Sequence, residues 1–177
     1  MRKEIDNIDT DFREMTPSPS VLDVASLLKQ FLRELPLPMV PRVFHSVLAS
    51  SFSSPPSKRL ENLMMCLLLL PPDHLASLSF LLHHLDTVAQ SSRYNKMTAT
   101  NLAIVLTPNL LPIQEPNTPA NINMAPGKLD KKSVDLNNKK LKLHTSILEL
   151  LIQNSDSVGY VNTYINERWV FPSKSKF

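Results

Sequence analysis

The stretch "KRLENLMMCLLLLPPDHLASLSFLLHHLDTVAQ" (58–90) decides the fold class. Before its two prolines, large apolar residues lie three or four positions apart, at Leu60, Leu63, Met64 and Leu67. This spacing predicts a helix, and the apolar residues on most of its sides predict a buried one at the core of a domain. Ser57 is a candidate cap for its start, and Pro71 and Pro72 end it.

The second half of the stretch predicts another helix. Its apolar residues alternate three and four apart from Asp73 onward, at Leu75, Leu78, Leu82, Leu85 and Ala89. This pattern is typical of an amphipathic helix of about four to five turns. We expect the buried helix before it to be its packing partner.

Helical spacing also marks the sequence on both sides of this stretch. Upstream, Ser20 and Asp23 resemble a capping box that starts a helix ending at Pro36. Downstream, "NKMTATNLAIVLTPNLLP" (95–112) predicts a helix capped by Asn95 and stopped around Thr107 by the following proline. "KKLKLHTSILELLIQN" (139–154) predicts a last amphipathic helix. No stretch alternates apolar and polar residues with a period of two, so the predicted class is all-α.

The remaining segments set the predicted domain limits. Residues 1–19 indicate a helix remnant and a loop, and residues 20–153 indicate one domain. Residues 112–138 are rich in Pro and Asn, which favours a disordered insertion within that domain. Residues 154–177 indicate a mobile basic tail.

Composition excludes several classes of protein. The net charge of +3 over 177 residues is too small to indicate nucleic-acid binding. The single cysteine, Cys66, cannot form a disulfide framework and favours a reducing compartment. Neither Gly127 nor Gly159 forms part of a glycine-rich phosphate loop. The opening residues lack a signal-peptide core and no apolar run is long enough to span a bilayer, so we predict a cytoplasmic protein without a transmembrane segment.

Two cations on the first predicted helix are the first candidate site. On a helical wheel Val24, Leu28, Phe31 and Leu35 cluster on one side, and Lys29 and Arg33 fall on the opposite side, one turn apart. The pair is therefore expected to face outward. The pair lies either on an ordinary solvated face or on a surface that docks an acidic partner.

Asn101 is the second candidate. Asparagine is a mediocre helix former, and this one directly precedes the apolar run "LAIVL". Its amide either bonds to nearby backbone or donates across an interface.

Other reactive side chains give no enzyme signature. His83 and His84 are adjacent, so on a helix they point about 100° apart and cannot share a metal ion. Cys66 lies in a leucine run, which does not favour a nucleophile. We therefore predict no metal, no cofactor and no enzyme activity of the chain's own.

Two separated motifs resemble one family. "DVASLLKQFLRELPLPMVP" (23–41) and "LPPDHLASLSFLLHHLDTVAQSSRYNKMTATNLAIVLTPNLL" (70–111), in this order, resemble the Rho GTPase-activating (RhoGAP) domain. The resemblance covers roughly 21–111 and the closing helix. It implies an all-helical bundle that acts as a regulator of a Rho, Rac or Cdc42-type small GTPase in its GTP-bound form.

The resemblance also implies roles for the candidate residues. Lys29 and Arg33 occupy the positions of the family's "LLK-x-x-x-R" helix, which meets the switch regions of the GTPase. Asn101 corresponds to the Asn of "NKM…NLA", which lies at the same interface and helps to position the GTPase and the finger loop. The implied function is GTPase activation, and the implied GTPase-binding residues are Lys29, Arg33 and Asn101.

The chain departs from the family pattern at two informative places. Leu106 and Thr107 stand where the family usually has Phe-Gly. The family's catalytic arginine lies in a "G-[IF]-[FY]-R-x-x-G" loop upstream of a helix that ends much like "RKEID", and this chain begins at that ending; Arg2 and Arg13 lack the glycine-flanked setting. We therefore expect a bundle without its first helices and arginine finger, impaired as an activator. The alternative is a non-catalytic GTPase-binding or scaffold module.

Overall fold

A computed structural model describes residues 20–113 and 131–159 of the chain. Within these ranges the regular structure is helical and no strand occurs, which confirms the all-α class. The predicted remnant at 1–19 lies outside the described residues, as do residues 160–177 of the predicted tail. The α-helices are α1 (Val21–Glu34), α2 (His45–Phe52), α3 (Pro56–Leu67), α4 (Pro72–Gln90), α5 (Ser92–Asn95), α6 (Ala99–Leu110) and α7 (Lys131–Gln153), with 3₁₀-helices at Arg42–Phe44 and Ser155–Ser157.

The chain divides into two compact units, Met1–Pro36 and Leu37–Phe177. The first unit contains α1, whose start is the predicted capping box. Ser20 Oγ accepts a hydrogen bond from the Asp23 amide at 3.2 Å, and the Ser20 amide donates to the Asp23 carboxylate at 3.2 Å. These reciprocal bonds satisfy two backbone donors that a helix start leaves without partners.

Prolines set the boundaries of three helices. Leu35, the residue before Pro36, has an extended backbone with ψ 130, so α1 ends at Glu34. In the second unit, α3 and α4 begin with Pro56 and Pro72 at the first helical position. A proline fits there because the amide proton it lacks would have no partner inside the helix. Ser57 therefore lies inside α3, and the prediction that it caps this helix is wrong.

α7 is the helix around which the other helices of the second unit pack most extensively. This helix contacts α2, α4 and α6. Its last turns bury Ile147, Leu148, Leu151 and Ile152. Each such side chain stabilises the fold by about 1.5 to 3 kcal/mol when fully buried. The second unit is thus built around its last helix.

The predicted central helix has a smaller role. α3 packs mainly on α2 and buries one side, with Leu63, Cys66 and Leu67. Met65 on the same helix is exposed, as is Leu69 just after its end. α4 contacts α5, α6, α7 and the closing 3₁₀-helix, so the expected partnership with α3 is not the main one. Leucines on every side of a short segment do not by themselves say how many sides are covered.

Two predicted boundaries differ from the structure. α6 continues past Pro108 to Leu110. The proline leaves only the Ile104 carbonyl without its helical partner, and Ile104 is exposed to water. Residues 131–138, predicted to belong to the insertion, are helical because they continue the packed part of α7. Residues 114–130 of that insertion lie outside the described residues.

The start of the predicted tail is part of the fold. Residues 155–157 form the closing 3₁₀-helix, and both Ser155 and Val158 are buried. Ser79 Oγ on α4 donates to the Val158 carbonyl at 3.4 Å. The second unit therefore extends to at least Val158.

Three histidines on helices of this unit form hydrogen bonds with backbone carbonyls of the connecting segments. The ring nitrogens of His74 and His144 lie 2.9 Å from the Met39 carbonyl and 3.0 Å from the Leu111 carbonyl. His45 contacts the Val40 carbonyl at 3.2 Å, and its ring meets that of His144 edge to face, with centroids 5.5 Å apart. A ring nitrogen can donate to a carbonyl while the ring packs against apolar neighbours, which suits these buried and half-buried sites.

We predict that acid destabilises the fold through His45. Burial lowers the pKa of His45 from 6.5, nearby His144 and Arg42 also lower it, and the hydrogen bond to the Val40 carbonyl partly opposes them. As the pH falls below 6.5, the unfolded chain binds a proton at this residue more readily than the folded chain, so the free energy of unfolding falls. Urea denaturation between pH 7.5 and about pH 5 measures this slope.

The matched variants are His45→Gln and His84→Gln. His84 is exposed. The His45→Gln variant should show a shallower loss of stability with acid than the parent, and His84→Gln should show the parent's slope. Identical slopes for parent and His45→Gln would contradict the prediction.

Candidate functional site

Lys29 and Arg33 lie on successive turns of α1, in the first unit. At a separation of four residues their Cβ atoms are about 6 Å apart. Arg33 is exposed and Lys29 is half-buried. Within residues 20–113 and 131–159 neither forms an ion pair. The two positive charges are thus neighbours that the described part of the chain does not neutralise.

The apolar pattern predicted that the buried side of α1 lies opposite Lys29 and Arg33. In the structure the buried side is centred on Leu32, which is closer to both cations around the helix. Leu32 is the buried residue, 3% exposed, whereas Val24 and Phe31 are 46% and 58% exposed. On the helix Lys29 lies about 60° from Leu32 and Arg33 about 100° from it. This explains why the Lys29 stem is half-buried while Arg33 is exposed. The prediction that Val24 and Phe31 face the core is wrong.

Asn101 lies in the first turn of α6, in the second unit, and its side chain is exposed. Its amide Nδ2 donates to the Lys96 carbonyl at 2.9 Å. Its backbone amide donates to Thr98 Oγ1, which caps the helix, at 3.2 Å. No other side-chain hydrogen bond of Asn101 forms within the described residues. The amide is therefore held in place by nearby backbone, while Oδ1 and a second N–H remain free to bind a partner.

Lys96 makes this arrangement possible, and sequence reasoning missed its role. It has a left-handed backbone with φ 60 and is the C-cap of α5. Asn95, the expected cap of α6, instead donates to the Val88 carbonyl at 2.8 Å and accepts from the Met97 amide at 2.8 Å. The sequence does contain a signal for the true N-cap of α6: Thr98 is a preferred capping residue and stands three positions before Asn101.

The other residues singled out from the sequence, Cys66, His83 and His84, lie in the second unit. Cys66 is a buried free thiol. His83 lies 3.3 Å from Asp156, in a pair whose side chains are 68% and 86% exposed and therefore well screened by water. In the described part of the chain, no three His, Cys, Asp or Glu side chains are grouped as metal ligands. No described helix is long and apolar enough to cross a membrane.

The chain belongs to the RhoGAP domain family, whose match covers residues 1–115. It is 32% identical over 149 residues to human Rho GTPase-activating protein 11A, covering 82% of this chain and 13% of that relative. It is likewise 32% identical over 150 residues to the Caenorhabditis elegans GTPase-activating protein rrc-1, covering 84% of this chain and 18% of the relative. The chain thus spans under a fifth of the length of either protein.

Solved structures support the same fold. The BH domain from GRAF, the GTPase regulator associated with focal adhesion kinase, matches with a TM-score of 0.69 at 22% identity over 89% of this chain and 76% of that one. Human Rho GTPase activating protein 15 matches with a TM-score of 0.69 at 20% identity, over 88% of this chain and 66% of that one. The implied RhoGAP-like all-helical fold is confirmed.

We predict that Thr98 stabilises the turn that carries Asn101. Thr98→Ala removes the N-cap and should cost about 1 kcal/mol in the free energy of unfolding. Asn101→Ala should cost less, about 0.5 kcal/mol, because its hydrogen bond is exposed to water. Thr87→Ala is the control, since Thr87 is exposed within α4 and its side chain bonds, among the described residues, only to the His83 carbonyl of its own helix. Urea denaturation at pH 7 measures all three, and equal costs for Thr98→Ala and Thr87→Ala would refute the capping role.

Proposed function

We propose that the chain is a GTPase-activating domain for a Rho-family small GTPase, and that Lys29, Arg33 and Asn101 bind the GTPase. The observation that carries this proposal is the Lys29–Arg33 pair. It stands at the motif positions of a RhoGAP family member, with no ion pair to any described acidic side chain. Two adjacent cations fit an acidic protein surface, and electrostatic complementarity raises both specificity and the rate of association.

The chain would act as a regulator, because the GTPase holds the nucleotide and carries out the hydrolysis. Phosphoryl transfer is catalysed mainly by positioning and by neutralising negative charge. Lys29 and Arg33 would hold the partner in its GTP-bound form. Asn101 would contribute its free oxygen and N–H to the same partner, from a side chain already fixed by Lys96. We place this activity in the cytoplasm, which a free, buried Cys66 suits.

A non-catalytic binding module is the second candidate, and one sequence observation favours it. The two glycines of the chain are Gly127 and Gly159, so Arg2 and Arg13 have no flanking glycines. An arginine finger accelerates hydrolysis roughly 10³- to 10⁵-fold. Lys29, Arg33 and Asn101 can restrain a partner without supplying that charge at the phosphate. Weak stimulation by these 177 residues stays a prediction.

We predict that the cation pair determines affinity. Lys29→Gln with Arg33→Gln removes both charges and keeps part of each aliphatic stem, and helicity should be unchanged because the helix propensities of Gln, Lys and Arg are similar. Affinity for Rho, Rac or Cdc42 loaded with a non-hydrolysable GTP analogue should fall by about 1 to 3 kcal/mol, roughly 5- to 150-fold in Kd. Calorimetry at two salt concentrations measures this loss, which should shrink in high salt.

The matched control for this loss is Lys139→Gln with Lys142→Gln. Both lysines are exposed on α7, so this variant changes net charge equally at another surface. It should retain the parent's affinity. Equal affinity of the Lys29/Arg33 variant and the parent would overturn the assignment.

Asn101→Ala separates an interface role from a structural one. We expect a tenfold or smaller loss of GTPase affinity, about 1 kcal/mol, because two available hydrogen-bonding groups disappear. The variant should stay folded, since it loses a single exposed bond. Unchanged affinity together with a large drop in melting temperature would assign Asn101 to the fold alone.

Single-turnover GTP hydrolysis distinguishes the two candidate functions. We expect the 177-residue chain to bind the GTP-bound partner and to stimulate hydrolysis little. Stimulation near the 10³- to 10⁵-fold range of an arginine finger would establish a complete activator and require Arg2 or Arg13 at the phosphate. No binding to any GTP-bound Rho-family protein would exclude both candidate functions.

A further inference from the structure

The first half of α7 is much more positively charged than the rest of the chain. Residues 131–142 contain five lysines and one aspartate, whereas the other 165 residues contain 14 basic and 15 acidic residues. The whole excess of positive charge therefore comes from this short segment. Its length of twelve helical residues corresponds to about 18 Å.

Helix stability does not account for these lysines. A helix is stabilised by acidic residues in its first turn and basic residues in its last turn. α7 has no acidic residue in its first turn and no basic residue in its last turn. A role outside the helix explains this distribution better.

Apolar side chains are exposed among the lysines. Leu136, Lys139, Lys140 and Leu143 are spaced i, i+3, i+4 and i+7, so they share one helix face, here named the lysine–leucine face. Leu136 is 53% exposed, both lysines are exposed and Leu143 is half-buried. Lys142 is also exposed, on the flank of this face. Val134 and Leu141, 39% and 37% exposed, lie about 140 to 160° from Leu136 and so belong to the other side of the helix. Positive charge and uncovered apolar groups thus occur together.

We propose that the lysine–leucine face binds an anionic lipid bilayer surface. Lysine side chains can extend to the headgroups while Leu136 enters the boundary with the acyl chains. Anionic lipids attract basic segments next to the membrane through their surface potential. This proposal is independent of the GTPase-binding residues, because Lys29, Arg33 and Asn101 lie on other helices.

A bilayer fits this face better than a protein or a nucleic acid. Residues 131–143 contain no arginine and no aromatic residue. Protein interfaces draw most of their affinity from Trp, Tyr and Arg, and single-stranded nucleic acids are bound by aromatic stacking. Lysines are compact charges that need no fixed geometry, so they suit a diffuse layer of headgroups. Asp135 is the one acidic residue here and reduces the attraction.

Vesicle co-sedimentation of the complete chain tests the proposal. Vesicles of phosphatidylcholine with about 30% phosphatidylserine should bind the chain, and pure phosphatidylcholine vesicles should not. Replacing Lys139, Lys140 and Lys142 by Gln should lower the partition coefficient roughly 10- to 100-fold, and the remaining binding should weaken with salt. Leu136→Ser should lower it a few-fold while the preference for phosphatidylserine persists.

The control carries the same loss of charge elsewhere. Arg42→Gln, Lys58→Gln and Arg93→Gln together remove three exposed cations, and this variant should bind phosphatidylserine vesicles like the parent. Circular dichroism verifies that all variants are folded. Absence of binding by the parent, or equal losses in the two triple variants, would overturn the proposal. Binding of a single-stranded RNA oligonucleotide that depends on the same lysines, without vesicle binding, would also overturn it and assign the face to nucleic acid.

Discussion

The second unit depends on the burial of one side of the last helix. Ile147, Leu148, Leu151 and Ile152 give α7 contacts with three other helices, and each buried side chain contributes about 1.5 to 3 kcal/mol. The hydrogen bond from His144 to the Leu111 carbonyl adds a polar link between α7 and the end of α6. The family match ends at residue 115, before this helix, whereas the likeness to solved RhoGAP structures extends over 89% of the chain. α7 therefore lies outside the residues that the family model matches.

Local hydrogen bonds then position the groups available to a partner. The turn between α5 and α6 reverses at Lys96, whose left-handed backbone presents its carbonyl to the Asn101 amide. A residue in that conformation is normally glycine or asparagine, so the surrounding contacts must hold the lysine there. Fixing the Asn101 side chain before binding reduces the entropy lost when a partner binds. On α1, helical register alone places Lys29 and Arg33 side by side.

Sequence patterns predicted the elements that are amphipathic and clearly bounded. The capping box at Ser20 and Asp23 and the proline end of α1 follow from local chemistry, and the structure has both. Sequence patterns predicted the structure less well where one residue type can serve two structural roles. Asn95 is a good cap by residue type, yet it stabilises the turn before α6, and Thr98 forms the cap. A proline inside a helix leaves one backbone carbonyl without its hydrogen-bond donor. The helix continues through Pro108 because that carbonyl belongs to Ile104, a residue that is exposed to water.

The sequence by itself determined the all-α class, the family motifs, and the placing of Lys29 and Arg33 one turn apart. These features depend on residue spacing along a helix of fixed period, which is a local property. Only the tertiary structure decided that α7 and not α3 is the hub, that Leu32 and not Phe31 is buried on α1, and that one amide proton of Asn101 is already bonded. Each of these outcomes depends on which neighbouring segment covers a helix face or offers a carbonyl. A single sequence does not contain that information in any local pattern, because burial is decided by contacts between segments far apart in the chain.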